Sequence, residues 1–469
     1  CKHRDTRERV PQRLHRSMHA VFYLRSTFAC KGNKDVTNPN SPIALMFFHD
    51  FWGQNINKGD SHKSYRPFTV LTFRFNRWFY GKTPGGELNP KGFHIVNILL
   101  HAVVSVLVYD LAHTFDPRPS APPHIRRRVA LASALLFALH PIHCEAVAGI
   151  VGRAEILGAI FFIAAILTYV RAVNTNDWPA HAQGVAQALA FALAGTLCKE
   201  TCISVIGVFW LYELLQPYPH WEAGGKIIYS SSALDATPAA AAPAAKRGRR
   251  GARAVGDVPP PAPESAARSQ PHPVMRRVFR MCWSACLAFS ILAVRNMVTG
   301  GESLVHIYRK VENPIAFEKD PQKRLFMLLQ LHGLYAKLLA LPLNMSCDWS
   351  FNCVPLATSL TDSQMLLPAA LYGTLIALGL LARPWKWDFS NGLLGARLAG
   401  PAAWRSRLFI AGAFIVGPFF PASNVLFFVG TYIGERLLYL PSVGYCMLFA
   451  QALDWLGSTP GGAAGAGDA

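Results

Sequence analysis

The chain has 469 residues, of which 51% are hydrophobic and 16% charged. Soluble globular proteins carry about 25% charged residues, so this composition excludes a soluble enzyme of one or two domains. The formal net charge of +19 has no basic soluble module to belong to, which sets nucleic acid aside as a partner and leaves basic loops on one face of a membrane.

Residues 1–20 are basic and His-rich, without the apolar core of a signal peptide. A polar loop follows over 31–92, dense in aromatic residues, Asn, Gly and Pro. Apolar segments then recur at about 93–111, 129–150, 156–173, 184–198, 201–216, 278–298, 325–343, 365–382, 408–429 and 437–455. Membrane helices take roughly 17–25 such residues, so the chain reads as an all-α polytopic membrane protein with about nine or ten membrane segments. The five segments within 93–216 are separated from those within 278–455 by a basic linker, 217–277. The Ala/Pro-rich middle of that linker has the composition of a disordered segment. A Gly/Ala-rich tail occupies 456–469.

Orientation follows from Lys and Arg. The 112–128 loop with Arg118, Arg126, Arg127 and Arg128, the linker, and the 383–407 loop are all assigned to the cytoplasm. Counting segments then places the 31–92 loop, the 140–156 turn and the Cys198–Thr201 turn together on the opposite, lumenal face. Loops 299–324 and 344–364 share that face if 325–343 lies in the interface as an amphipathic helix. Asn344-Met345-Ser346 in the second loop is a glycosylation acceptor pattern. Ten cysteines show neither CxxC nor zinc spacing and read as buried thiols; Cys347 and Cys353 differ in sharing one polar loop.

The chemistry-bearing residues gather on the lumenal side. His49-Asp50-Phe51-Trp52-Gly53 sets a carboxylate among aromatic rings, and His62 and Arg66 follow. Asp50 could act as a general base and Arg66 as a clamp on phosphate; the plainer reading is a structured loop with incidental charges. His143 and Glu145 end one apolar segment, and Arg153 with Glu155 opens the next. Pro141 interrupts the helix that would align metal ligands there, so no metal is assigned, and these groups are expected to line a cavity. Lys199-Glu200 and Glu435-Arg436 are adjacent ionisable pairs at segment ends. Either pair could anchor a helix end, and Arg436 could instead hold a lipid phosphate. No Gly-rich phosphate loop, Ser/His/Asp order or nucleotide fingerprint is present.

These stretches resemble the transmembrane and tetratricopeptide-repeat-containing (TMTC) protein O-mannosyltransferases. The matching text is His49–Gly53, Ser61–Asn76, Phe93–His101, Ala134–Leu157, Cys198–Glu200, Cys347–Ser350 and Pro421–Tyr445, within about 31–455. The resemblance implies a GT-C-type glycosyltransferase, multi-pass in the endoplasmic reticulum membrane. Its donor would be dolichyl phosphate mannose, and its acceptors Ser/Thr hydroxyls of secretory or cell-surface proteins, cadherins among them. The implied reaction is inverting: a lumenal carboxylate, Asp50 or Glu145, takes the hydroxyl proton as lipid phosphate leaves toward Arg66, Lys199 and Arg436. His49, Trp52, His62, His143, Arg153 and Glu155 would line the pocket; a divalent metal is neither required nor ruled out.

The chain departs from the family twice. The family has a first membrane helix followed by an Asp-Asp pair, expected here near Arg25-Ser26, where no acid stands. Residues 1–30 therefore read as a misread exon or alternative start. The family's tetratricopeptide repeats follow its membrane part, and no internal repeat is found here. The alternative is a non-catalytic endoplasmic-reticulum scaffold of the same fold, or a truncated inactive form.

Overall fold

The structure, a computed structural model, describes residues 30–59, 61–80, 88–116, 121–215, 220–221, 227–228, 271–299, 309–346, 349–350, 353–382 and 403–457. The N-terminal stretch before Cys30, nearly all of the basic linker, most of the 383–407 loop, Cys347 and most of the tail lie outside the described residues.

Eleven helices of eleven or more residues are found among the described residues. They are α1 (Pro67–Tyr80), α2 (Pro90–Thr114), α3 (Pro123–Leu139), α4 (Arg153–Val173), α5 (Trp178–Cys198), α6 (Val205–Leu215), α7 (Pro273–Thr299), α8 (Pro321–Ala340), α9 (Leu366–Ala382), α10 (Ala403–Phe419) and α11 (Pro441–Gly457). Many begin on proline, whose fixed φ suits the first turn and whose missing N–H would go unpaired there anyway. Asn89, Asp177 and Asp320 cap α2, α5 and α8 by accepting from Lys91 N, Ala180 N and Gln322 N. β structure is minor, a two-residue antiparallel pairing of His220–Trp221 with Ile227–Ile228.

Each expected apolar segment holds a helix. Pro90–Thr114, Ile150–Val173 and Val274–Val298 are long and apolar enough to cross a membrane, and Pro123–Leu139 with Pro141–Ala148, bent by 48°, make a fourth. The architecture is that of an all-α membrane protein. Three boundaries differ from the hydropathy reading. The segment expected at 408–429 stops at Phe419, beside Pro418 and before Pro421, and the chain to Leu440 is irregular before α11 starts at Pro441. His140 and Pro141 likewise end α3 early. Helix α1 lies inside the stretch expected to be a polar loop. Pro67, Val70, Phe73 and Asn76 recur at helical spacing as its buried face, while Trp78 and Phe79 stay exposed.

Helix α4 is the axis of the bundle, packed on α5, α2 and α6, whereas α7 runs almost wholly exposed along the rim. The main core joins α2, α3, α4, α5, α6, α10 and α11; within it Tyr169 stacks on Phe209, ring centroids 4.1 Å apart. A second core couples α8 to Ile142, Tyr432, Ile433 and Leu438. At the end of α6 away from the 140–156 turn, buried Glu213 accepts from Tyr169 Oη (2.8 Å), from both arms of Arg280 (2.6 and 2.7 Å) and from Arg277 Nε (3.2 Å). His181 donates from Nδ1 to Ala172 O (2.7 Å), so its Nε2 faces Arg280 as an acceptor (3.4 Å).

Helices α10 and α11 cross so closely at Gly444 that a Cβ there would lie 2.3 Å from the carbonyl oxygen of Ala411. The obstacle is backbone and cannot swing aside. Gly444→Ala is expected to part the helices at a cost of about 1–3 kcal/mol, read as a lowered unfolding temperature in detergent.

Candidate functional site

The first loop is organised from within. Asn33 caps the turn Lys34–Thr37 and donates from Nδ2 to Phe51 O (3.1 Å). Buried Asp35 receives His49 Nδ1 at 2.8 Å. The Asp50 carboxylate accepts from Ser61 Oγ (2.7 Å), Trp52 N (2.9 Å) and Gln54 N (3.0 Å). Gly53 turns the chain at φ +83°, where a side chain would strike Asn33. Asp50, one of the two expected proton acceptors, is thus turned into its own loop. His49 and Trp52 are partly exposed, and His62, exposed, sits against the Trp52 ring at 6.0 Å.

This loop reaches the bundle through Arg66, whose Nε donates to Glu200 Oε2 (2.9 Å) while its guanidinium lies 5.2 Å over the Phe51 ring. Three residues further on, Thr69 Oγ1 donates to Cys198 O (2.9 Å). Lys199 Nζ pairs with Glu155 at 2.5 Å. Glu145, in the turn after α3, receives the backbone N–H of Arg436 (2.8 Å) and also its guanidinium. Lys199 lies within electrostatic range of Arg66, Glu155, Glu200 and Arg436. The Cys198–Thr201 turn, the 140–156 turn and the end of the first loop, expected on one face, therefore converge. Arg66, Glu145, Glu155, Lys199 and Arg436 belong to one ionic group.

Two expected pocket residues do other work. Arg153 is fully buried and donates to Asn97 Oδ1 (2.8 Å), Asn76 Oδ1 (2.8 Å) and Phe93 O (3.0 Å), between the rings of Phe73 and Phe93. It ties α1, α2 and α4 together below the ionic group. His143, also buried, meets Ser442 Oγ at 2.8 Å from Nε2. Among the described residues no group of three or more His, Cys, Asp or Glu is disposed to hold a metal ion.

Arg295 was missed from sequence, and Glu435, noted there as the neighbour of Arg436, was given no site role. Arg295, near the end of α7, acts on Glu200; an Arg within the apolar second half of that helix was its signal. Glu435 is 2% exposed and accepts, on Oε1, from Ser346 N (2.5 Å) and Trp349 Nε1 (3.3 Å) of the loop after α8. Beside the group lies a narrow cleft lined by the polar Glu155 and Thr201 and the apolar Pro418, Ala422, Leu437 and Leu440, among others.

Residues 301–376, spanning α8 and most of α9, match the family model described as Protein O-mannosyl-transferase TMTC, DUF1736. The chain is similar to protein O-mannosyl-transferase TMTC4 of Homo sapiens, 33% identical over 92% of this chain and 52% of that protein. Similar too are TMTC3 of Mus musculus (31%, over 93% and 40%) and Tmtc3 of Drosophila melanogaster (32%, over 91% and 43%). Over most of its length the chain is thus similar to TMTC proteins. It spans about half the length, or less, of these curated relatives. No solved structure matches it.

The carboxylates of the group differ in electrostatic setting. Burial works to raise Glu200, but Arg66, Arg295 and Lys199 outweigh it and hold the group below its ordinary value. Glu435 is pushed up to about 7, first by burial and then by the neighbouring Glu145 charge, against the two hydrogen bonds it accepts. Its neutral form is the one the fold favours. The contribution to stability is fully present below the ordinary value of 4.5 and is lost as pH rises through about 7. The unfolding temperature of the parent is expected to fall over that window relative to Glu435→Gln, measured on the two proteins side by side. Asp50→Ala strips three acceptor contacts from the first loop. It is expected to cost about 2–4 kcal/mol and to open residues 49–64 to limited proteolysis.

Proposed function

We propose that this chain is the membrane part of a protein O-mannosyltransferase of GT-C type in the endoplasmic reticulum membrane. It moves mannose from dolichyl phosphate mannose to Ser/Thr hydroxyls of secretory or cell-surface proteins, cadherins among the candidates. The observation that carries this reading is the convergence of Arg66, Lys199, Arg295 and Arg436, from four separate chain segments, beside a narrow cleft lined by both polar and apolar side chains. A lipid-linked sugar phosphate has that chemistry: an anion joined to a long apolar chain. The names of the relatives, protein O-mannosyl-transferases, agree with it.

The displacement needs little help at the leaving group beyond positive charge. The acceptor oxygen attacks the anomeric carbon, the bond from that carbon to the phosphate oxygen breaks, and its electron pair leaves on the lipid phosphate. Arg66 and Arg436 present planar forks suited to phosphate oxygens, and Lys199 a point charge. Glu145, Glu155 and Glu200 keep these cations in place before donor arrives, so the charge that receives the leaving group is positioned beforehand. The polyprenyl chain would run along the walls formed by Pro418, Ala422, Leu437 and Leu440.

The purified chain in liposomes, given dolichyl phosphate [³H]mannose and a Ser/Thr peptide, is expected to label the peptide. Arg436→Ala is expected to lower kcat/KM for the donor by about 10²–10³ per folded molecule. Absence of labelling by the parent protein, under conditions where it remains folded, would defeat this reading.

A further inference from the structure

Asn344-Met345-Ser346 is the only Asn-X-Ser/Thr sequence in the chain, and no proline at Met345 or at the following Cys347 spoils it. The pattern alone is not a site. The asparagine must also stand on the lumenal face with its amide accessible, and the structure bears on both points.

The face is decided by where α8 lies. That helix carries Lys323, Arg324 and Lys337 and is not among the helices long and apolar enough to cross a membrane. Its middle meets the ends of its apolar neighbours. Gly333 abuts the first turn of α9, where a Cβ would lie 2.6 Å from Pro368 N. Tyr335 packs against Phe419, the last residue of α10, with ring centroids 4.9 Å apart, and His332 Nε2 donates to Ser423 O (3.1 Å) just beyond it. The chain on either side of α8 returns to one place. Before the helix, Glu312 O accepts from Tyr432 N (2.7 Å); after it, Ser346 N donates to Glu435 Oε1 (2.5 Å). Tyr432 and Glu435 are three residues apart, no more than about 11 Å of chain. Glu435 precedes Arg436, a member of the ionic group, so Asn344 is carried to the face on which that group lies.

The residue itself is free to be modified. Leu341 N closes α8 on Lys337 O and Leu343 N turns back to Leu341 O, each at 2.7 Å. Asn344 follows at φ +57°, a left-handed conformation that Asn adopts more readily than most residues. It is exposed, and among the described residues its side chain meets no hydrogen-bond partner. Asn33, Asn97 and Asn313, by contrast, are fully buried and each donates to a carbonyl oxygen.

Resting on the endoplasmic-reticulum location proposed above, we infer that Asn344 is a site of N-linked glycosylation, taking its oligosaccharide from a lipid diphosphate donor. The Asn344 amide nitrogen forms a bond to the anomeric carbon of the first sugar. The bond from that carbon to the diphosphate oxygen breaks, its electron pair leaves on the lipid diphosphate, and the amide gives up one proton to the oligosaccharyltransferase. No hydrogen bond of the fold is exchanged for the glycan.

The full chain would be made in mammalian cells and its gel mobility compared before and after peptide N-glycosidase F. The parent is expected to shift by one glycan on treatment. Asn344→Gln and Ser346→Ala are expected to run with the treated parent from the outset, while Ser346→Thr keeps the shift. Gly59→Ser serves as the reference for location: it completes an acceptor sequence on exposed Asn57 in the first loop, at a glycine where a Cβ would meet open space. That variant is expected to carry two glycans. A glycan on Asn57 with none on the parent overturns the assignment to Asn344 and leaves the location standing. So does a shift that persists in Asn344→Gln. A chain that carries no glycan in either the parent or Gly59→Ser removes the location and this inference together.

Discussion

A charge withdrawn from water must find its opposite or a full set of hydrogen bonds nearby, and at one end of this bundle that requirement does the folding. Arg66 finds Glu200, Lys199 finds Glu155, and Arg436 finds Glu145, the first and last across 134 and 291 residues of chain. Each pair joins a loop to a different helix end, so the three turns cannot separate without stranding an ion. Leaving one partner of a buried pair uncompensated costs about 3–5 kcal/mol. The same requirement explains Arg153, which has amide and carbonyl oxygens on its donors and aromatic faces on either side. The geometry offered to a phosphate is thus set by contacts that exist before any ligand binds.

The region matched by the family model supplies the wall opposite those turns. Helix α8 and the segment before it pack on the irregular chain between α10 and α11: Asn313, ahead of α8, donates to Asn424 Oδ1 (2.8 Å) and Val429 O (2.7 Å), and Tyr432 Oη contacts Met327 O and Gln330 Oε1 of α8 (3.3 Å each). Gln330 in turn receives Ala357 N (2.8 Å) and donates to Pro355 O (2.7 Å), fastening the loop after α8 onto the helix. Trp349 and Ser346 reach Glu435 from that loop. Irregular backbone at this depth is tolerable because its polar groups are met by protein.

Much of the architecture was legible in the sequence. Apolar runs located ten helices, and Lys/Arg parity put three loops on one face that the structure brings into contact. Hydropathy averages over proline, which is why 408–429 read as one segment although Pro418 and Pro421 end the helix inside it. Helix α1 escaped because Arg74 and Arg77, which reach back to Pro39 O and Val36 O, dilute an apolar face that is narrow. Residue type identified the ionic group but could not sort its members. Asp50 looked like a base because a carboxylate among aromatic rings also describes a loop that hydrogen-bonds itself together. Glu435 was passed over beside Arg436, since its neutral partners lie some 90 residues away in sequence, at Ser346 and Trp349. No local pattern encodes such a pairing.

The clamp of Glu213 on Arg277 and Arg280 has a consequence for how the chain can be handled. It rivets the end of α6 to the start of α7, and Trp210 Nε1 adds a bond to Ser284 Oγ (2.8 Å) one turn further in. The covalent connection between residues 216 and 270 is therefore bridged by non-covalent contacts on both flanks. Two polypeptides divided within that stretch would carry complementary surfaces for reassembly in the membrane. The half ending at α6 would bring Arg66 and Lys199, and the other Arg295 and Arg436, so that neither alone would possess the whole ionic group.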